Sequence, residues 1–342
     1  MQQQNEIKEV TKLLNDDGTL AVAGWARHNL FTYDRRITKP RSRLKEWDFY
    51  QISDGHYMVQ ISFFNITLAS AASACILDLT TGKMIATTAK IMLGTRRRYI
   101  LPKKGDVSNF FRFEKGKTVL QFDTRKTVRK LDFKGKVKGK DFDLHFEMDI
   151  PDGHENITIV TPFKDMPTRF FMTTKQNCMP TNGTVKFGEK EFKFDKENTF
   201  SVLDWGRGVW PHKNFWYWGN GATRIDGKIF GFEITWGIGN EENATETCLF
   251  YDGIAHKIGA VDVEHHPKDR WMEPWHFTSD DGRFDVTMTP TFDNKNGIIV
   301  CDLGMLTHQV HGLWNGYAIL DDGKRIEIKD MYAFCEFVEN RW

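Results

Sequence analysis

Short segments in which apolar and polar residues alternate recur along the whole chain, separated by dipeptides that favour tight turns. Clear examples are residues 57–64, 118–122, 142–148 and 157–160, all rich in Phe, Ile, Val or Thr. Asp-Gly, Asn-Gly and Thr-Gly dipeptides between these segments supply the positive φ that tight hairpins need. The pattern predicts an all-β protein of antiparallel meanders, which must close into barrels or stack to protect their edges.

Helix is expected at only two places, residues 6–15 and residues 69–77. The length of 342 residues exceeds the limit of roughly 250–300 for a single hydrophobic core, so two domains are expected. Three prolines and an Asn-Gly pair interrupt the strand pattern between Pro162 and Gly183. We therefore place the domains at residues 1–180 and 181–342, each about the size of a small calyx barrel that can hold a small apolar ligand.

The charge balance argues against a nucleic-acid partner. Lys and Arg total 47 against 46 Asp and Glu, and the basic residues of segment 126–140 alternate with apolar ones as on the wet face of a strand. No apolar run approaches the roughly 18 residues that span a bilayer, and the first residues lack the apolar region of a secretory signal. We therefore expect a cytoplasmic protein with no transmembrane segment. The five cysteines are scattered, which favours ordinary buried thiols.

Residues 204–221 are the best candidate for a site, because they hold four of the 11 tryptophans together with an acid, an arginine and a histidine. Indoles are costly to expose in groups, so this segment is either a half-buried binding surface or part of a core. Asp204 has apolar neighbours that would raise its pKa and let it act as a general acid. If Arg207 contacts Asp204, however, the two form a structural ion pair instead.

Other residues of the segment and its surroundings are further candidates, and their positions in strands or loops predict which way they face. His212 is either a proton relay or a solvated loop side chain. Alternation predicts that Trp216 and Trp218 face one side of a strand and Tyr217 the other. Glu246 stands at the head of an apolar strand and is expected to point into a barrel, whereas Glu233 is expected to face outward. The adjacent His265 and His266 point to opposite faces of an extended chain, so no metal site and no cofactor are expected.

Four segments carry a family resemblance: residues 175–180, 183–188, 202–219 and 245–257. Together they resemble the family catalogued as domain of unknown function 2804. The Asp-Trp-Gly run that begins at Asp204, with Pro211, Trp216 and Trp218, is more distantly similar to tandem lipocalin-like proteins, namely tocopherol cyclases and carotenoid 1,2-hydratases. Both relatives protonate an isoprenoid double bond in an apolar cavity. The resemblance therefore implies two lipocalin-like antiparallel β-barrels or half-barrels in tandem, the motif in the second, and acid chemistry.

Three functions remain open at this point. The first is a cofactor-independent hydratase, cyclase or isomerase that acts on a hydrophobic small molecule through Asp204. The second is a non-catalytic lipid- or isoprenoid-binding protein with the same cavity. The third is a carbohydrate-active protein that uses tryptophan platforms with Asp204 and Glu246 as its carboxyl pair. The candidate catalytic residues are Asp204, His212 and Glu246, and the candidate ligand-binding residues are Trp47, Trp205, Arg207, Trp210, Trp216, Tyr217, Trp218 and Trp236.

Overall fold

The computed structural model describes residues 4–94, 98–264 and 270–341, and nearly all of this part of the chain is β-strand. Its only helical element is a short 3-10 turn at Arg41–Arg43. Two large sheets, each a barrel or half-barrel, account for almost all of the strands. The predicted all-β fold class with two barrel-like sheets in tandem is therefore confirmed. The described residues contain no helix long and apolar enough to cross a membrane.

The first large sheet has 13 strands in the order β7-β6-β5-β4-β15-β13-β11-β10-β9-β8, with β2, β12 and β14 attached beside it. A separate parallel pair, β1 (Thr11–Lys12) and β3 (Phe31–Thr32), lies near the start of the chain. The strands of the first sheet are β2 (Gly24–Ala26), β4 (Leu44–Ser53), β5 (Tyr57–Asn65), β6 (Ala69–Asp78), β7 (Lys83–Leu93), β8 (Asn109–Lys115), β9 (Thr118–Thr124), β10 (Val128–Val137), β11 (Lys140–Asp149), β12 (Ile157–Phe163), β13 (Met166–Phe187), β14 (Lys190–Phe194) and β15 (Phe200–Val209).

The second sheet has nine strands in the order β19-β18-β17-β16-β24-β23-β22-β21-β20. Neighbouring strands pair antiparallel throughout. They are β16 (Lys213–Ile225), β17 (Lys228–Trp236), β18 (Cys248–Tyr251), β19 (Ile254–Lys257), β20 (Val261–Glu264), β21 (Trp275–Ser279), β22 (Phe284–Val300), β23 (Leu303–Ile319) and β24 (Arg325–Arg341).

The chain passes from the first sheet to the second between Val209 and Lys213. The sequence-based division between residues 180 and 181 falls inside β13. This strand continues through the expected interruption, because Pro180 pairs with a residue of β15 and Gly183 pairs with a residue of β11. The two domains as first divided stay a prediction. The run that begins at Asp204 lies in β15, the last strand of the first sheet, at the point where the two sheets meet.

Both helix predictions are wrong. The alanine-rich segment 69–77 is part of β6, which pairs with β5 on one side and β7 on the other. Pairing on both edges overrides the helix propensity of alanine, a weak preference that tertiary context often outweighs. In segment 6–15, Glu6 forms a bridge with Trp25, and Thr11–Lys12 pairs with Phe31–Thr32 as a short strand.

Three hydrophobic clusters account for most of the core. One fills the first sheet and another fills the second. The third lies between the sheets, where Phe171, Trp210 and Phe250 pack with the half-buried Trp47 and Trp216. The aromatic segment identified in the sequence therefore helps to join the two sheets.

Candidate functional site

Alternation along β15 divides the motif between two environments. Asp204, Gly206 and Gly208 face the second sheet, whereas Trp205 and Arg207 face the core of the first. A side chain at position 206 would overlap the indole of Trp47, and one at position 208 would overlap Trp210. The two glycines therefore provide flat backbone on which large aromatic rings lie.

A cavity of about 450 Å³ lies between the sheets on the Asp204 side of β15. The first sheet contributes residues of β4, β5, β13 and β15 to its wall, and the second contributes residues of β16, β17, β23 and β24. Aromatic side chains make up much of the lining: Trp47, Phe49, Phe64, Phe171, Trp210, Trp216 and Trp218. A cavity of this size and lining suits a small ligand that is mainly apolar.

Lys175 of β13 is the centre of a buried ionic group in this wall. Its ammonium lies 3.0 Å from Asp204 Oδ1, 3.7 Å from Glu246 Oε1 and 3.8 Å from the centre of the Trp218 ring. Burial alone would lower the pKa of Lys175, but the carboxylates of Asp204 and Glu246 outweigh burial and raise it. Lys175 is therefore held as a cation.

Glu246 is fixed by two hydroxyl donors. Thr235 Oγ1 donates a hydrogen bond to Glu246 Oε2 at 2.5 Å, and Thr173 donates to Oε1. Burial raises the pKa of Glu246, although Lys175 and the two hydroxyl donors oppose the shift. Glu246 was expected to point into a barrel, and the structure instead places it in the wall of the cavity between the two sheets.

Two further carboxyl groups complete the surroundings of Lys175. Trp216 Nε1 and Gln309 Nε2 donate hydrogen bonds to Glu336 at 3.1 and 3.2 Å, and burial raises the pKa of Glu336 to about 7. Trp218 Nε1 donates to Glu233 at 2.7 Å, and burial raises the pKa of Glu233 to about 8. We call Lys175, Asp204, Glu233, Glu246 and Glu336 the Lys175 cluster. It has more acids than its one ammonium neutralises, and burial brings the pKa values of two of them, Glu233 and Glu336, close to neutral.

Arg207 does not pair with Asp204, because residues three apart on a strand point to opposite faces. Its guanidinium instead donates to Asp48 at 2.9 Å and to the carbonyl oxygens of Trp47 and Pro102 at 2.6 and 2.8 Å. Of the two alternatives for Asp204, the ion pair with Arg207 is therefore excluded. Each member of the pair has a different partner on its own side of the sheet.

Arg207 belongs to a second buried ionic group on the far side of β15. Arg35 Nη2 lies 3.0 Å from Glu46 Oε2, Tyr33 donates its hydroxyl hydrogen to Glu46 at 2.9 Å, and Asp48 accepts from Arg207. We call Arg207, Asp48, Glu46, Arg35 and Tyr33 the Arg207 cluster. Two guanidinium groups face two carboxylates in it, so its formal charges balance.

Six of the candidate residues line the cavity together: Asp204, Glu246, Trp47, Trp210, Trp216 and Trp218. Trp205 and Arg207 pack on the opposite side of β15. Tyr217 and Trp236 stack 4.6 Å apart in the core of the second sheet, with Tyr217 on the face opposite its tryptophan neighbours as alternation predicts. His212 is partly exposed and lies 3.1 Å from Asp302. The functional roles assigned to these residues stay predictions.

Sequence reasoning missed Lys175, Lys45 and Glu336, and it placed Glu233 wrongly. Glu233 was expected to face outward but is fully buried, since β17 is covered on both faces and alternation does not indicate exposure there. A lone acid in an apolar strand was the available signal for both Glu233 and Glu336. Lys175 carried no such signal, because its partners come from strands distant in sequence.

A second cavity of about 450 Å³ lies further along the interface and is more polar. Gln51, Ser201, Asn177 and Asn220 are among its lining residues. Asn177 Nδ2 donates to Glu233 at 2.8 Å, so Glu233 lies between this cavity and the indole of Trp218. The two cavities are thus separated by a layer of hydrogen-bonded polar side chains.

Among the described residues, no three His, Cys, Asp or Glu side chains are grouped so that they could hold a metal ion. The candidate pair His265 and His266 lies outside the described residues.

A family model described as Domain of unknown function (DUF2804) matches residues 4–342. The chain belongs to this family. The membership expected from the motif resemblance is therefore confirmed, and it extends over nearly the whole sequence. Among curated proteins, none matches this sequence.

Two solved structures resemble the fold. A protein from Nitrosomonas europaea provisionally named AttH aligns with a TM-score of 0.51 at 12% identity, over 86% of this chain and 92% of its own. Kievitone hydratase from Nectria haematococca aligns with a TM-score of 0.49 at 11% identity, over 87% of this chain and 88% of its own. At this level of identity the first similarity shows a shared fold, and the function has to be argued from the site.

Proposed function

We propose that the chain binds a mainly apolar small molecule between its two sheets and carries out cofactor-independent acid and base chemistry on it. The observation that carries this proposal is the placement of the Lys175 cluster in the wall of an aromatic-lined cavity of about 450 Å³. Perturbed carboxyl groups in a cleft are more frequent at functional sites than elsewhere. The fold alone supports only a lipocalin-like binding protein.

The shape of the wall supports a ligand with one polar end. Trp47, Trp210 and Trp216 supply apolar surface, and Asp204 with Glu336 supply polar groups. Indole faces also stabilise a positive charge that develops on a substrate. This combination is what protonation of a carbon–carbon double bond requires.

Glu336 is better suited than Asp204 to donate the proton. The pKa of Glu336 is raised to about 7 by burial, so a large fraction of the group is protonated at neutral pH and can donate that proton. Asp204 lies 3.0 Å from the ammonium of Lys175 and forms an ion pair with it. In a hydration, Glu336 would give its proton to one alkene carbon while Asp204 accepts a proton from the water that adds to the other. Cyclisation and isomerisation use the same first step.

Carbohydrate chemistry is the weaker alternative. Asp204 and Glu246 both contact Lys175, so the two carboxyls lie close to each other, and glycosidases also use a pair of neighbouring carboxyls. The ammonium they share, however, occupies the space next to both carboxyls and holds them in an ion pair. A glycosidase needs that space for the sugar and the attacking water.

Native mass spectrometry of gently purified protein, followed by solvent extraction of any bound molecule, tests the proposal. Wild type is compared with Glu336→Gln and Asp204→Asn. We expect an apolar unsaturated molecule to accumulate in the two variants and to be replaced by its product, or by an empty cavity, in the wild type. His212→Ala is the control, because His212 lies outside the cavity.

The same apolar molecule in all four proteins would support the carrier function and remove the catalytic part of the proposal. A sugar in the cavity, or tight binding of oligosaccharides without any apolar ligand, would overturn the proposal as a whole.

A further inference from the structure

The cavity wall holds two lysines in different surroundings. Lys175 contacts two carboxylates, as described above, and is therefore a fixed cation. Lys45 of β4 lines the same cavity and is only 7% exposed. Among the residues that the structure describes, no carboxylate oxygen lies within 4.0 Å of the Lys45 ammonium nitrogen. A buried amine without a counter-ion is the condition under which lysine becomes a nucleophile.

The contacts of Lys45 Nζ hold the amine in place but do not supply a negative charge. It donates a hydrogen bond to Asn340 Oδ1 at 3.2 Å and lies 4.6 Å from the centre of the Trp210 ring. Asn340 is itself oriented, because its Nδ2 donates to Asn214 Oδ1 at 2.6 Å and leaves Oδ1 for the lysine. Burial, with a smaller contribution from Arg43, lowers the pKa of Lys45 to about 7, although the face of an indole favours the charged form.

We propose that Lys45 binds the aldehyde or ketone group of an apolar ligand covalently, as an imine. This inference rests on the proposed function, because it takes place in the same cavity and names the class of ligand. The lone pair of Nζ attacks the carbonyl carbon, and a proton passes from nitrogen to oxygen to give a carbinolamine. Loss of the oxygen as water then forms the carbon–nitrogen double bond. The reaction consumes one amine and one carbonyl, releases one water, and needs no oxidant or reductant.

Reductive trapping tests this assignment. The full-length protein is incubated with a small excess of decanal and cyanoborohydride, which reduces an imine to a stable secondary amine. Intact mass then counts the decyl groups, and peptide mapping locates them. We expect Lys45 to be labelled at least about tenfold faster than exposed lysines such as Lys8, because its amine is neutral more of the time and the cavity concentrates the aldehyde. Excess decan-1-ol, which has no carbonyl group, should slow the labelling of Lys45 alone.

Lys45→Met and Lys45→Arg provide two controls, so that loss of label is not confused with loss of folding in one variant. Both should retain binding of decan-1-ol, followed by tryptophan fluorescence, and lose the fast label. Decan-1-ol binding by the wild type without preferential labelling of Lys45 would overturn the imine and leave the proposed function intact. Failure of both decan-1-ol binding and labelling would count against both.

Discussion

The two faces of β15 carry two buried ionic groups that differ in their balance of charge. In the Arg207 cluster, Arg207 makes four hydrogen bonds, to Asp48 and to three backbone carbonyls, and the acids and bases are equal in number. In the Lys175 cluster, one ammonium is shared by several acids, and Asp204, Glu246 and Glu336 line a cavity. The two groups are separated only by the thickness of one sheet.

The difference indicates which group is architecture and which is a site. In the Arg207 cluster the two guanidinium groups pair with the two carboxylates, and Arg207 also binds three backbone carbonyls, so this group ties neighbouring segments of the chain together. In the Lys175 cluster, which has surplus carboxyls, burial raises the pKa values of Glu233 and Glu336 towards neutrality. Carboxyl groups perturbed in this way beside a cavity are more frequent at functional sites than elsewhere. One face of β15 thus carries the group with balanced charges, and the other carries the group to which we assign the proposed chemistry.

The strongest test of this division is Arg207→Met. The change leaves Asp48 buried without its guanidinium and three carbonyl groups without a donor, so we expect a loss of about 3–5 kcal/mol in the free energy of unfolding. Urea denaturation followed by circular dichroism measures it. Arg36→Met, which removes an exposed partner of Asp34, is the control and should leave the midpoint unchanged. A loss below about 1 kcal/mol for Arg207→Met would mean that the Arg207 cluster is not architecture.

Lys175→Met is the matching change on the other face, and we expect a smaller loss of about 1–3 kcal/mol at neutral pH, because the surplus carboxyls can take up protons. Burial already raises the folded-state pKa of Glu246 above its unfolded value while Lys175 opposes the shift, so without the ammonium this pKa rises further. Stability is then lost as pH rises, so the deficit should be larger at pH 8 than at pH 5. Denaturation at the two pH values measures it. A deficit that is equal at both, or larger at pH 5, would contradict the interpretation.

The sequence was sufficient for the fold class and for six of the residues in the cavity wall, because both depend largely on local alternation. Asp204, Trp216 and Trp218 lie on the cavity side, and Tyr217 on the other, as a period of two requires. The same rule explains why Arg207 cannot reach Asp204. Positions 204 and 207 differ by an odd number, so alternation along one strand is enough to exclude the ion pair expected between them.

The rest of the site depends on contacts between residues distant in sequence. Lys175 meets Asp204 through the pairing of β13 with β15, and it meets Glu246 only because the two sheets pack together. Glu233 was misjudged because alternation indicates exposure only for a strand with one wet face. The helix predicted at 69–77 was wrong for a related reason, since pairing on both edges of β6 decided its conformation.

A smaller effect is expected from Glu233, whose raised pKa should make the free energy of unfolding depend on pH near neutrality. Its pKa is raised from 4.5 to about 8 by burial, so the folded state keeps a proton that the unfolded state loses. Stability therefore falls as pH rises through this window, by at most about 1.4 kcal/mol per pH unit for one group. Glu233→Gln should flatten the dependence between pH 6 and pH 7, measured by urea denaturation. Glu197→Gln, at an exposed position, should leave the slope as in wild type. An unchanged slope in Glu233→Gln would remove Glu233 from the Lys175 cluster.

The smallest effect is expected for His212→Ala, which tests the limit of the site. His212 lies in the aromatic segment by sequence, but its ring faces Asp302 at the surface rather than the cavity. A partly exposed pair of this kind contributes little to stability, and a side chain outside the wall cannot relay protons to a bound ligand directly. We therefore expect an unchanged denaturation midpoint and unchanged binding of decan-1-ol, whereas Trp216→Ala should weaken that binding. If His212→Ala weakened the binding of decan-1-ol as much as Trp216→Ala does, the site would have to extend along the aromatic segment to the surface. The two faces of the sheet would then not define the limits of the site.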